Sequence, residues 1–519
     1  MSEFFCFLIM NRYFSKFAVL GLAVVGGGAV AFAEAVHSSY VPEPDEIAFR
    51  VVQTRLVERE GKVVPEDPAR QDVRSTPFTP HAYADIPTID LDAAEPRQEM
   101  LGFGVSLTDA SAWLLSELRP DRREKLLRHL FGPAGIGLSI VRLNVGSSDY
   151  ATALYNYNDA AGDVRMELFS VARDDRYLIP MFKEIRAVRP DLYTFASTWS
   201  CPGWMKTSGA MCGGALRDDC LPAFANYLVA YLKAYRRRGV TVDALTVNNE
   251  PDTDQDGGCP ACLISGKQEA ELAGRLLPSR LKAAGLSTDI WILDHNYDLW
   301  ERVLGQLRDP EVRANVAAVA WHPYAGKPEM IEKVRAEFPD VVFHMTENGP
   351  SLARWDRRDA FWWSRNIFDA LNHGCSSYCG WNLCLDQDGQ PNAGHFACGG
   401  FVELDSRQLD KTAFKASAQC VAIGHVAPYV KRGAHLLATG AWSKDGDVVG
   451  AAFRNPDGTL VLVCAASHTE KTNRRSVQVK CRGQYLALRL PVRAGSLTTV
   501  IIPPEPKPEE EGLTPKPGL

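Results

Sequence analysis

Ala244-Leu245-Thr246-Val247-Asn248-Asn249-Glu250-Pro251 is the run from which the architecture of this chain can be read. A short β-prone segment ends in a carboxylate, and Pro251 stops the strand behind it. Such a carboxylate sits at the C-terminal mouth of a strand, where parallel α/β folds place their chemistry. The pattern returns at Phe343-His344-Met345-Thr346-Glu347-Asn348-Gly349, again a β-prone run, a carboxylate and a turn. One glutamate after a strand is common on any protein surface. Two in matching positions suggest paired acid/base and nucleophile work on a glycosidic bond.

On either side of these runs the alternation continues. β-like segments at 100–103, 138–145, 193–199, 244–248, 290–293, 316–321, 341–345 and 377–383 are separated by helix-like ones such as 121–130, 221–238 and 268–284. This alternation across residues 100–425 predicts an α/β fold, a (β/α)8 TIM barrel. A doubly wound open sheet is the alternative, and the repeated polar residues at strand ends suit a barrel better. Glu250 and Glu347 then end the fourth and seventh strands, roughly opposite one another across the mouth. Residues 34–99 read as a lead-in that adds strands. Over 426–503 the helical period vanishes and Asn455-Pro456-Asp457-Gly458 signals a hairpin, which predicts an accessory β-sandwich domain. Residues 504–519, rich in Pro, Glu and Lys, read as a disordered tail.

At 519 residues, 46% hydrophobic and 23% charged, the chain has the composition of a soluble globular protein with one large and one smaller unit. A net charge of −6 argues against a nucleic-acid partner, which would call for a basic patch. Arg12 and Lys16 precede an apolar run over 17–30, and Ala31-Phe32-Ala33 supplies a small-x-small cleavage site. Residues 1–33 therefore read as a signal peptide, with Met10 an alternative start. The run is shorter than the ~20 residues of a membrane span, so no stable span is expected after cleavage and the protein is expected to be secreted or periplasmic.

Thirteen cysteines include Cys6 in the leader. The twelve that remain form an even set in an exported chain, which favours disulfides, with Cys212–Cys220, Cys384–Cys398 and Cys464–Cys481 as candidate pairs and the connectivity open. Cys259-Pro260-Ala261-Cys262 reads as a loop disulfide rather than a zinc element, because no second CxxC or His pair accompanies it.

Other predicted strand ends carry groups suited to sugars. Thr108-Asp109 follows the first strand, Arg142 and Asn144 lie in the second, and Trp199 ends the third with Trp204 close behind. Asp294-His295-Asn296 ends the fifth, Trp321-His322-Pro323-Tyr324 the sixth, and Trp381-Asn382 lies in the eighth. Sugars present apolar C–H faces rimmed by hydroxyls, which aromatic platforms beside polar clamps fit. Each tryptophan alone reads as core, and their recurrence at one face points to carbohydrate.

On these motifs the chain resembles glycoside hydrolase family 30, the glucosylceramidase-like retaining hydrolases, over roughly residues 99–503. The matching runs are Gly102-Phe103-Gly104 with Thr108-Asp109-Ala110, Gly137-Leu138-Ser139 through Arg142 to Gly146-Ser147-Ser148-Asp149, and Trp199-Ser200-Cys201-Pro202-Gly203-Trp204. Asn249-Glu250-Pro251, Thr346-Glu347, and Trp381-Asn382-Leu383 with Gly389-Gln390-Pro391-Asn392 complete the set. The resemblance implies a barrel with a side β-sandwich built from N- and C-terminal strands, and a carbohydrate or glycolipid substrate. It implies Glu250 as general acid/base and Glu347 as nucleophile. Asp109, Trp199, Asn249 and Trp381 would hold the sugar beside the scissile bond, Arg142 would support the carboxylates, and His322 and Tyr324 would lie near the nucleophile. Glu250 is expected to keep an elevated pKa under repulsion from Glu347. No metal or organic cofactor is implied.

The chain departs from the family at Cys201, at His322-Pro323-Tyr324, in the cluster Cys375, Cys379, Cys384 and Cys398, and after Asn392, where Ala393-Gly394-His395 lacks an expected aromatic. These loops line the leaving-group side. The implied activity is cleavage of β-glucosidic bonds by double displacement, as in glucosylceramidases. An endo-β-1,6-glucanase and a β-xylosidase or xylanase are alternatives on the same frame. A non-catalytic carbohydrate-binding protein is a third reading, against which both retained glutamates stand. The chain has no GxSxG run, and Gly102-Phe103-Gly104 lacks the third glycine of a dinucleotide site.

Overall fold

Eight parallel strands close into a barrel in the computed structural model, which describes residues 47, 49–59, 62–65, 79–352, 359–407, 414–468, 474–491 and 495–505. The expected signal peptide and residues 506–519 of the expected tail lie outside the described residues. The barrel strands are β1 (Gly102–Leu107), β2 (Ile140–Val145), β3 (Tyr193–Thr198), β4 (Ala244–Thr246), β5 (Asp289–Asn296), β6 (Val316–His322), β7 (Val342–Met345) and β8 (Cys375–Asn382). Each pairs in parallel with its neighbours in chain order, and β8 closes on β1.

β1 lies later than the 100–103 segment read from β-propensity. Its glycines and serine carry no such signal, yet all six of its positions are buried. A Cβ on Gly104 would stand 2.3 Å from the carbonyl oxygen of Ile140, so the bare backbone lets β1 close against β2. The helices follow their sequence stripes. Leu221–Arg237 buries Leu228, Leu232 and Tyr235, the face that its periodicity marks. The segment expected at 268–284 is two helices, Gly266–Glu271 and Leu277–Ala283, joined by a π turn at Leu272–Leu276. Ser265 and Gln268 form a capping box at its start. Inside the barrel, Ile140, Phe195, Ala244, Trp291, Ala318, Ala320 and Cys379 pack into one cluster.

The side domain joins both ends of the chain. A seven-stranded sheet runs Lys62–Pro65, Arg50–Arg59, Ser496–Ile502, Leu460–Ala466, Val448–Arg454, His435–Leu437, Pro96–Glu99. A three-stranded sheet of Gln484–Pro491, Arg474–Cys481 and Thr88–Asp90 accompanies it. Ile89, Leu462, Val479, Leu488 and Val500 from the two sheets share one apolar core, as a sandwich requires.

The expected disulfides are not formed among the described residues, where the twelve cysteines outside the leader stand as thiols. Cys464 and Cys481 lie in different sheets of the sandwich, and Cys384 turns its thiol to the Ser111 carbonyl at 3.5 Å. Cys262 faces Cys201, with sulfurs 3.8 Å apart, rather than Cys259. Most of these thiols are buried and act as small apolar fillers.

Candidate active site

The mouth of the barrel is laced together by the backbone just beyond the strands. Asn249 N–H donates to the Thr198 carbonyl at 2.6 Å, and Glu250 N–H to the Asp294 carbonyl at 3.0 Å. Glu250 itself adopts a left-handed φ of 48°. Opposite, Thr346 N–H donates to the Trp321 carbonyl at 3.0 Å, which fixes the residue before Glu347. β5 carries a bulge here. Its pairing with β6 jumps from Leu293–Ala320 to His295–Trp321, and Leu293 and Asp294 have φ of 73° and 53°. The buried carboxylate of Glu269 accepts Leu293 N–H at 2.8 Å and is itself held by Arg302 and Gln306. That helix carboxylate pins the bulge, and the bulge aims Asp294 inward.

Asp294 is the hub beneath the two glutamates. Its Oδ2 accepts from Ser197 at 2.5 Å, Thr246 at 2.8 Å and Arg142 at 2.8 Å. Its Oδ1 accepts from Thr346 at 2.7 Å and meets His322 Nε2 at 3.0 Å. Burial opposes the charge of Asp294, but Arg142, His322 and the hydroxyls outweigh it and hold the carboxyl far below the usual range. Arg142, fully buried, also donates to Asn249 Oδ1 at 2.7 Å and pairs with Glu347 through Nη1. Its guanidinium lies 4.7 Å from the ring centre of Trp199 and 5.5 Å from that of Trp381. The two indoles stack at 5.0 Å.

One carboxylate oxygen each from Glu250 and Glu347 and one ring nitrogen of His322 lie within 4.8 Å of one another. Glu250 Oε1 meets His322 Nδ1 at 3.1 Å, and its Oε2 accepts from Gln255 Nε2 at 2.6 Å. Glu347 Oε1 accepts from the Tyr324 hydroxyl at 2.9 Å, and that hydroxyl accepts Gly349 N–H at 3.1 Å. Burial works against a His322 cation, yet the charges of Glu347, Asp294 and Glu250 raise its pKa to about 9. Both its ring nitrogens then donate to carboxylates, Nδ1 to Glu250 and Nε2 to Asp294. Arg142 and His322 carry two positive charges against Asp294, so the cluster is neutral when the two glutamates share one proton.

The shifts within the pair differ from the sequence expectation of an elevated Glu250. Burial raises Glu347, with repulsion from Glu250 adding and His322 and Arg142 opposing. Burial acts upward on Glu250 too, but the His322 hydrogen bond and the charges of His295, His322 and Arg142 bring it below the ordinary value. The pair thus titrates as a unit.

The remaining expected residues divide. Asn249, His322, Tyr324, Trp199 and Trp381 meet at this mouth through Arg142, Glu250 and Glu347. Asp109 does not join them through its hydrogen bonds. It accepts Thr152 N–H at 2.7 Å, the Thr152 hydroxyl at 2.8 Å and the Tyr177 hydroxyl at 2.8 Å, so it ties loops together. Asp149, quoted above as part of a motif but given no role, is a buried carboxyl on which both glutamates act through charge. Its Oδ1 is buried without a hydrogen-bond partner among the described residues. Burial first, then the charges of Glu347 and Glu250, raise its pKa to about 8. Its signal was the same as that of Asp109, an aspartate just past a barrel strand. Phe396 follows the Ala393-Gly394-His395 stretch; it is exposed, and its ring centre sits 4.2 Å from that of His395.

The model of the glycosyl hydrolase family 30 TIM-barrel domain matches residues 100–407. The endo-1,6-beta-D-glucanase BGN16.3 of Trichoderma harzianum is 31% identical over 404 residues, covering 72% of this chain and 79% of that protein. The lysosomal acid glucosylceramidase of Mus musculus is 28% identical over 391 residues, covering 70% of this chain and 74% of that protein. Among solved structures, the endo-beta1,6-glucanase BT3312 superposes with a TM-score of 0.73 at 26% identity, covering 80% of this chain and 94% of that one.

Proposed function

The chain belongs to glycosyl hydrolase family 30 and is a glycoside hydrolase, and we propose that it cleaves β-linked glucose with retention, Glu347 acting as nucleophile and Glu250 as general acid/base. The spacing of the two carboxylates carries this reading. Oxygens within 4.8 Å of each other fit the ~5–5.5 Å carboxyl separation of retaining enzymes and fall short of the ~6.5–9.5 Å of inverting ones.

In the first step a carboxylate oxygen of Glu347 bonds to the anomeric carbon as the bond to the leaving oxygen breaks. Glu250 gives its proton to that oxygen. Arg142 and Tyr324 both donate to Glu347 against the burial that raises it, so its ionised form gains as positive charge grows on the sugar and the proton that the pair shares is carried by Glu250. The ester removes the charge of Glu347. Glu250, now ionised and held by His322, takes a proton from water, and the water oxygen displaces Glu347 from the anomeric carbon. Asp149, neutral below its raised pKa, serves as a donor for a sugar hydroxyl, and the stacked Trp199 and Trp381 back the guanidinium.

The endo-1,6-glucanase relatives, in sequence and in structure, support β-1,6-glucan as the substrate. Glucosylceramide is the second reading, supported by the glucosylceramidase relative. Incubation with β-1,6-glucan, glucosylceramide and xylan, with the anomer followed by NMR, tests both. Release of β-configured product from β-1,6-glucan is expected. An α-configured first product would overturn the double displacement, and activity confined to xylan would overturn the glucoside assignment. The leader read at 1–33 supports export; the mature protein is expected to begin at Glu34, and an intact N-terminus in a native host would count against it.

A further inference from the structure

Glu250 Oε1 is committed to His322, so Oε2 is the oxygen left to carry a transferable proton. Gln255 is the side chain that reaches it, with Nε2 donating at 2.6 Å. The loop that delivers this amide is strained. Gln255 and Asp256 both have φ of 52°, followed by Gly257 at 70°. Two successive non-glycine residues in the left-handed region cost free energy and persist only where neighbours over-determine them. Here Thr253 Oγ1 accepts Gln255 N–H at 3.0 Å and Asp254 Oδ1 accepts Asp256 N–H at 3.3 Å. Gly257 N–H closes on the Asp254 carbonyl at 3.0 Å, and Gly258 N–H on the Gln255 carbonyl at 2.9 Å. The outcome of this turn is an amide set on the outward oxygen of Glu250.

An amide has the chemistry that oxygen needs. Its NH2 donates to a carboxylate; turned over, its carbonyl accepts from a carboxylic acid. The titratable neighbours lie elsewhere: His322 donates to Oε1 from β6, His295 Nε2 stands 3.8 Å from the same oxygen, Arg142 and Glu347 act through charge, and Asp149 and Cys259 are held neutral by burial.

Resting on the role proposed above for Glu250, we propose that Gln255 is the positioning residue of the general acid/base, holding Oε2 in either protonation state and yielding it to the glycosidic oxygen when substrate binds. In the glycosylation step the Oε2–H bond breaks and a new O–H bond forms on the leaving oxygen. The anomeric C–O electron pair goes to that oxygen while Glu347 bonds to the carbon. Gln255 donates neither proton nor electrons. It keeps Oε2 pointed along the path.

The test compares Gln255→Leu, Gln255→Glu and Glu250→Ala with the full-length enzyme on two substrates, β-1,6-glucan, whose leaving group needs a proton, and 2,4-dinitrophenyl β-glucoside, whose leaving group does not. Gln255→Leu is expected to lose about tenfold or more in kcat/KM on the glucan and to stay within about twofold on the aryl glucoside. Gln255→Glu, which sets a negative charge beside Oε2, is expected to move the alkaline limb of the kcat/KM profile to higher pH. Equal losses on both substrates, or a limb that does not move, would overturn the role of Gln255. Glu250→Ala separates the two readings. If it discriminates between the substrates and Gln255→Leu does not, only the inference about Gln255 fails; if Glu250→Ala itself does not discriminate, the acid/base assignment fails with it. The Gln255→Glu profile is read within one folded protein, so it decides even where Gln255→Leu does not fold.

Discussion

His322 Nε2 lies 3.0 Å from Asp294 Oδ1, so the ring that touches Glu250 is anchored by a carboxylate that solvent does not reach. Replacing Asp294 by Asn keeps the shape but removes the charge that balances Arg142 and His322. Loss of one partner from a buried ionic network costs about 3–5 kcal/mol. Asp294→Asn is therefore expected to lower the urea midpoint clearly and to reduce kcat by about a hundredfold or more, since both Glu250 and Glu347 lose their alignment. Wild-type stability together with wild-type kcat would show that the hub is dispensable.

The same contact gives stability a pH dependence with a definite sign. His322 titrates near its ordinary value when unfolded and at about 9 when folded, so the folded protein binds the proton more tightly. Its stabilising contribution is complete below about pH 6.5 and declines as pH rises towards 9. Chemical denaturation between pH 6 and 9.5 is expected to show this decline, and His322→Gln is expected to flatten it.

Asp149 makes an opposite kind of test, of protonation in the site. With its pKa raised to about 8, the group is protonated at pH 6 and has an O–H to offer a sugar hydroxyl in the role proposed above. An amide can imitate that form and a methyl cannot. At pH 6, Asp149→Asn is expected to keep kcat/KM within about tenfold, whereas Asp149→Ala loses about a hundredfold, the range of one buried hydrogen bond to a substrate hydroxyl. Equal losses for both would mean that Asp149 works as an anion.

Gly104 tests the closure of the barrel. An alanine there must push its methyl against the Ile140 carbonyl oxygen and side chain, at 2.3 and 2.5 Å from an unshifted backbone. Overpacking of this kind costs about 1–3 kcal/mol, and more where backbone must move. Gly104→Ala is expected to melt several degrees lower, with its remaining folded fraction showing an unchanged KM.

Much of this architecture was legible because parallel barrel strands are short apolar runs cut off by polar residues. Glu250 and Glu347 stand at such cuts, and the structure puts them together. β1 was misplaced because its Gly-Phe-Gly-Val-Ser-Leu depends on closeness to β2 rather than on propensity. Asp109 and Asp149 could not be told apart, since each follows a strand. What separates them is the chain over 150–177, which folds back to give Asp109 the Thr152 and Tyr177 hydroxyls and leaves Asp149 Oδ1 bare. Gln255 was invisible for a similar reason, because its aim depends on left-handed residues that no glycine announces. The cysteine pairing rested on parity and compartment, neither of which encodes where the thiols point.

In the side domain Arg50 pairs with Ile501 and Arg55 with Ser496, so the strand near the start of the chain waits for the one near its end. During synthesis the strand Arg50–Arg59 emerges hundreds of residues before its partner, and such long-range closure is slow. The barrel segments between them can fold first, while an unsatisfied sheet edge stays open until residue 502 leaves the ribosome. A chain shortened before Ser496 would keep its glutamates and still be exposed to edge-to-edge aggregation, so low yield, rather than lost chemistry, is the expected mark of C-terminal truncation.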